Sequence, residues 1–181
     1  MRTIMIPASM LLLAACGGPP TPAETPKDEA PKEEPTAEPK DEAKPAGDPT
    51  DAASFDALDA DAKHAFLMKK GEEVYTSSTL ACQTCHGADG KGTPPAFPPL
   101  VGQKDMMGDC VNHAAIVIYG LQGEIVVDGQ TYNGVMTPQG DMLDDLQIAA
   151  VATYERNTWG NAFGDCTPAD VAKARAENPL K

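Results

Sequence analysis

Cys82-Gln83-Thr84-Cys85-His86 is the stretch on which the reading of this chain turns. A Cys-x-x-Cys-His run is the pattern of covalent c-type haem attachment. On one helical turn, residues three apart share a face, so the Cys82 and Cys85 sulfurs can both reach the two vinyl groups along one porphyrin edge. His86, four residues from Cys82, falls on the same face and can reach the iron once that edge is pinned. Two rival chemistries also use closely spaced cysteines. Structural zinc wants two further ligands at a matching spacing, and a thioredoxin-like redox pair wants a βαβ pattern around it. Neither context surrounds residues 82–86. One covalent haem c is the expected cofactor.

Upstream, the sequence cannot build a core. Nine of the 17 prolines lie between Pro19 and Pro49, a stretch without any aromatic or large aliphatic residue. Such a segment cannot offset its ordering entropy by burial. Residues 16–52 therefore read as a tether, stiffened toward polyproline II at roughly 3.1 Å per residue and able to reach on the order of 100 Å; a specific docking segment is the alternative. The foldable part is residues 53–181. At the start, Arg2 precedes an apolar run from Ile4 to Leu13 that Pro7 interrupts, far short of the roughly 20 residues a spanning helix needs. Residues 1–15 read as a secretion signal.

Leu13-Ala14-Ala15-Cys16 resembles the lipobox of bacterial lipoproteins, which implies acyl chains on Cys16; the other reading is an ordinary signal that leaves Cys16 a thiol. Several chains anchor stably where one is marginal. The expectation is an exported protein, lipid-anchored on the periplasmic side of a bacterial membrane. A net charge of -13 argues against nucleic acid as a partner, because phosphates would meet a repelling surface.

Around the haem motif the chain resembles a class I, monohaem cytochrome c from about Met68 to Asn161. Lys70-Gly71-Glu-Glu-Val-Tyr75 is similar to the family's amino-terminal helix, whose glycine lets the carboxy-terminal helix cross closely, with Tyr154 opposite Gly71. Gly87-Ala-Asp-Gly-Lys-Gly92 and Pro98-Pro-Leu-Val-Gly102 follow as in the family. The resemblance implies that the Pro98 carbonyl accepts the second N–H of the His86 ring, fixing its tautomer and raising its basicity as a ligand.

For the sixth iron ligand the candidates are Met68, Met106, Met107, Met136, Met142, His64 and His113. Tyr132-Asn-Gly-Val-Met136-Thr-Pro138 resembles the family's distal loop, which selects Met136, although the family usually has Met-Pro without the intervening threonine. Met106 and Met107 are expected to pack over the haem edge, where Ala96 and Phe97 also fall. His64 and His113 are read as ordinary helix residues outside the site.

Local signals supply the scaffold. Asp144 with Gln147 reads as a capping box, and Leu143 with Ile148 as a staple, opening a helix that carries Leu146, Ala150, Val151 and Tyr154 on one face and stops at Asn157 and Gly160. A middle helix is expected over Val111–Tyr119, stopped by Gly120, and a first one over Phe55–Tyr75. Asp128-Gly129 between β-branched residues predicts a small hairpin within Glu124–Tyr132. The fold class is thus all-α, the cytochrome c fold, with about three to five helices around one covalently bound haem and a short β-hairpin. Cys110 and Cys166 remain, and in an oxidising compartment an even remainder suggests a disulfide; two separate thiols are the alternative.

With both axial positions of the iron filled, the resemblance implies an electron carrier rather than an enzyme. The expected partners are a quinol-oxidising complex or dehydrogenase as donor and a terminal oxidase or reductase as acceptor, reached from the membrane through the lipid. Two other classes compete: a haem sensor or peroxidase-like protein that releases Met136, and an assembly subunit with a structural haem.

Overall fold

A computed structural model describes residues 48–180. The signal peptide, Cys16 and most of the tether lie outside the described residues. Seven helices and two short strand pairs make up the described part, so it is mostly helical but has more helices than the three to five expected. The surplus is mainly short segments of four or five residues.

The expected helix over 55–75 is divided. α1 (Ala52–Asp56) starts at the capping box of Asp51 and Ser54, and α2 (Ala60–Tyr75) starts afresh because the Asp59 side chain accepts from the Ala62 N–H. The Asp59 carboxylate satisfies an amide that would otherwise be an orphan at the start of a new helix. α3 (Cys82–His86) is the haem-motif turn, and α4 (Lys104–Met107) is a single turn not foreseen. α5 (Cys110–Tyr119) begins at an Asp109 cap, one residue before its expected start.

Two antiparallel ribbons follow α5. β1 (Leu121–Gln122) pairs with β4 (Val135–Met136), with Leu121 opposite Met136. Inside it, β2 (Ile125–Val127) pairs with β3 (Gln130–Tyr132) around Asp128 and Gly129. Both turn residues have positive φ, 51° and 77°, the conformation a two-residue hairpin of this twist needs and the reason Asp-Gly serves there. The expected hairpin is present, and the second ribbon at its base was not foreseen.

α6 (Asp145–Asn157) has the Asp144–Gln147 capping box, and α7 (Pro168–Glu177) has one from Thr167 and Asp170 with proline in its first turn. α2 and α6 form the principal helix pair. Their closest approach is at Gly71, where an added Cβ would run into the Ala150 carbonyl and the Cβ of Tyr154. Only a residue without a Cβ permits that distance. Leu67, Val74, Ile148 and Val151 fill the core around this crossing. α7 packs on α5 and α6, tied by the Cys110–Cys166 disulfide, whose Cα atoms are 5.5 Å apart.

Candidate functional site

The site is built on the short helix α3. Ala81 enters it with left-handed φ of 59° and Gly87 leaves it at 79°. Tyr75, buried at the end of α2, donates its hydroxyl to the Gly87 carbonyl at 2.7 Å, so the last turn of α2 fixes the exit of α3. Cys82 and Cys85 are half-buried and unbridged. Burial, and after it the charge of Glu155, push the Cys82 thiol up to about 12. In this wall the sulfur is held neutral, as a thioether would be.

His86 is buried, and its Nδ1 lies 3.0 Å from the Pro98 carbonyl. A carbonyl only accepts, so Nδ1 carries the proton and Nε2 keeps its lone pair for a metal. The loop that delivers Pro98 is pinned by its own backbone: Gly92 N–H donates to His86 O at 2.8 Å, Thr93 N–H to Phe97 O at 2.9 Å, and Leu100 N–H to Gly90 O at 2.7 Å. Asn161 then binds this loop to α6. It accepts from the Gly102 N–H at 2.8 Å and donates to Leu100 O at 3.1 Å and Glu155 O at 2.8 Å.

Cys82, Cys85, His86, Pro98 and Met136 all line one cleft. Met136 reaches it from β4, and the chain beyond is laid against the end of α5 by Gln139 N–H to Val117 O at 3.0 Å and Gly140 N–H to Ile118 O at 3.1 Å. Ala96, Phe97, Met106 and Met107 line the cleft as well. The other ligand candidates are elsewhere: Met68 is not on its wall, Met142 is exposed, and the ring of His64 sits at the surface 2.9 Å from Asp165.

One residue set aside from the sequence belongs here. His113, read as an ordinary helix residue outside the site, is 3% exposed, lines the cleft, and pairs through Nε2 with Glu155 at 2.8 Å. Its partner Glu155 is buried on α6. The α6 periodicity contained a clue, because Glu155 falls four residues after Val151, on a face that also carries buried apolar side chains.

The residues fit a haem. The walls are predominantly apolar, two thiols stand three residues apart on one helical face, and one imidazole is held through Nδ1 with Nε2 spare. The donor set does not fit the zinc alternative, since among the described residues no three His, Cys, Asp or Glu side chains converge as metal ligands. The Cys82-x-x-Cys85-His86 motif on a helix is that of one covalently bound haem c.

Comparisons with known proteins agree with this chemistry. A family model described as cytochrome c matches residues 68–159. The chain is 35% identical over 122 residues to cytochrome c-552 of Thermus thermophilus, an alignment covering 62% of this chain and 79% of that protein. It is 36% identical over 76 residues to cytochrome c-554(548) of Halomonas halodenitrificans, covering 40% of this chain and 78% of that one. It is also 32% identical over 108 residues to the cytochrome c subunit of alcohol dehydrogenase (quinone) from Gluconobacter oxydans, covering 58% of this chain and 22% of that subunit.

Proposed function

The chain belongs to the cytochrome c family, and on that premise we propose that it is a membrane-tethered monohaem carrier of single electrons. It is a c-type cytochrome, a carrier and not an enzyme. The observation that carries the reading is the His86 ring, fixed at Nδ1 by Pro98 in the same apolar cleft as Cys82, Cys85 and Met136. The haem supplies a one-electron redox change at its iron.

The chain's residues do the rest. Cys82 and Cys85 would hold the haem by thioethers, and His86 and Met136 would be the protein donors to its iron. A thioether in that position favours the reduced state relative to a second imidazole, so the potential is expected to be high. The apolar walls exclude water, while Phe97 and Val135, 37% and 60% exposed, sit at the rim and leave it open to contact.

The proposed setting is the periplasmic face of a bacterial membrane, with acyl chains on Cys16 and the chain between it and α1 as the tether. Among the described residues no helix is long and apolar enough to cross a membrane. The proposed donor is a dehydrogenase or quinol-oxidising complex and the acceptor a terminal oxidase or reductase; the likeness to a cytochrome subunit of a quinone-linked dehydrogenase supports the first. Beyond residue 52 there are 17 acidic against 9 basic side chains, which favours a basic or apolar face on the partner. Transfer rates that fall steeply with salt support the electrostatic version, and a flat salt profile the apolar one.

Absorption spectra of both oxidation states test the core of this reading. Expression with competent maturation machinery should give coloured protein whose ferric form shows the weak near-infrared band of methionine ligation, lost in Met136→Ala. Colourless protein overturns the haem; a coloured protein without that band removes Met136 from the iron. Rapid carbon monoxide binding by the reduced protein would favour a sensor instead.

A further inference from the structure

Arg156, near the end of α6, is a buried cation whose hydrogen bonds go to no carboxylate. The residue is 3% exposed, and among the described residues its guanidinium donates to backbone carbonyls alone. Nε donates to Gly164 O at 2.8 Å, Nη1 to Met107 O, and Nη2 to Gly108 O at 3.4 Å and to Phe163 O. Burial disfavours its charged form, and Asp109, Asp170 and Asp165 offset that only in part. A charge kept inside a protein at such cost asks what it holds in place.

The four carbonyls belong to two segments. Met107 and Gly108 stand at the end of α4, and the last carbonyls of a helical turn have no partner within it. Asn112 of α5 donates to Met106 O at 2.8 Å, and Arg156 of α6 serves the next two carbonyls. α4 packs on α5, so the guanidinium is a link from its end to α6. Phe163 and Gly164 lie on the segment that runs to Cys166, and Cys110, bridged to Cys166, follows Gly108 by two positions. One planar fork thus gathers both stretches of chain that converge on the disulfide. Five donors in fixed directions suit that task, whereas a lysine ammonium is a point charge on a flexible stem.

What the fork holds is the Met107 wall. Met107 is 2% exposed and lines the cleft with Gln103 and Met106, whereas Lys104 and Asp105 of the same turn are exposed. Arg156 is not on that wall itself. We propose that Arg156 is a positioning residue for the electron-transfer site: it clamps α4 so that Met107 closes one wall of the cleft against water, and so holds the reduction potential up. This rests on the electron-carrier reading above. Solvent access and burial are among the levers that set the potential of a bound haem. Water entering past Met107 would favour the oxidised iron, which carries the greater charge. The fixed cation acts in the same direction as the dry wall, because an added electron is favoured near a positive charge.

The test is the midpoint potential of the full haem-bearing chain at one fixed pH, in wild type, Arg156→Lys, Arg156→Gln and Arg175→Gln. Arg175 fastens α7 to Asp145 and Leu143 O away from the cleft wall, so its loss should lower stability and leave the potential where it was. Arg156→Lys keeps the charge without the fork, and Arg156→Gln loses both. In each the redox equilibrium should move toward the ferric form, least in the lysine variant and by about tenfold in the glutamine one, about 59 mV for one electron. A wild-type potential in both variants overturns the proposal. A fall in Arg156→Gln alone assigns the effect to charge without a clamp, and an equal fall in Arg175→Gln assigns it to general loosening; either overturns it. Should the Arg156 variants fail to fold, two measurements decide. In wild-type protein the guanidinium protons of Arg156 should exchange orders of magnitude more slowly by NMR than those of an exposed arginine, and Met107→Ala should lower the potential where Met107→Leu does not. Fast exchange, or an unchanged potential in Met107→Ala, overturns the clamp. Coloured variants with unmoved potentials defeat only the clamp; a chain that takes up no haem defeats both readings.

Discussion

α2 and α6 meet through side chains that need nothing beyond the polypeptide, whereas the segments 87–108 and 121–140 turn much of their apolar surface toward the cleft. At the helix crossing, Leu67, Val74, Ile148 and Val151 are nearly fully buried against one another. Along the cleft, Pro98, Leu100, Leu121 and Met136 line its wall, and the segments that carry them hang from individual hydrogen bonds to helix ends. Burial of apolar area is the dominant stabilising term in folding. The frame therefore obtains its stability from the chain, and the cleft segments obtain theirs from a bound apolar group.

The largest effect should come from removing that group. With Cys82→Ala and Cys85→Ala combined, haem is not retained covalently, and amide hydrogen exchange should rise by orders of magnitude in 87–108 and 121–140 while α2 and α6 keep the strongest residual protection. Uniform loss of protection would erase the contrast between the two regions. Next in size is the disulfide. It closes a separation of 56 residues, and Cys110→Ala with Cys166→Ala should lower stability by about 4 kcal/mol, less any native strain, as a shift of the denaturant midpoint. Because the bridge joins α5 to the start of α7, the visible spectrum should not change. Gly71→Ala should follow at about 1–3 kcal/mol, since the new methyl meets the Ala150 backbone and must push α2 away from α6. A neutral outcome in chemical denaturation would mean that the two helices are not the rigid half of the molecule.

The same division governs what could be read in the sequence. Frame features are written in local chemistry: Asp144 and Gln147 form the capping box they spell, Gly120 ends α5, and Asp128-Gly129 makes its turn. The break at Asp59 was missed because apolar spacing continues across it, and only the cap geometry separates α1 from α2. The β1–β4 ribbon was missed because its strands are two residues each and lie far apart in sequence. At the site, the motif 82–86 identified the attachment chemistry, since its spacing is local. His113 and Glu155 gave no such signal. They are 42 positions apart, and a histidine in an apolar helix looks the same whether its partner is solvent or a buried carboxylate.

α7 allows the finest test, because it lies beyond residues 68–159, where the family model matches, yet its start is written in local sequence. Thr167-Pro168-Ala169-Asp170 spells a helix beginning: Thr167 Oγ1 accepts from the Asp170 N–H at 3.2 Å, the Asp170 carboxylate accepts from the Thr167 N–H at 2.9 Å, and proline stands where an N–H would be orphaned anyway. Farther along, Arg175 donates to Asp145 at 2.7 Å and to Leu143 O at 3.0 Å, and Tyr119 donates to Arg175 O at 2.9 Å, so α7 is fastened to α6 and α5 at its other end too. Losing one cap on a helix held this way should cost about 1 kcal/mol. Thr167→Ala is therefore expected to lower the melting temperature by a few degrees and leave the haem spectrum and potential unchanged. A shifted potential would mean that α7 reaches the cleft through α5 or α6 and belongs with the haem-dependent region instead of the frame.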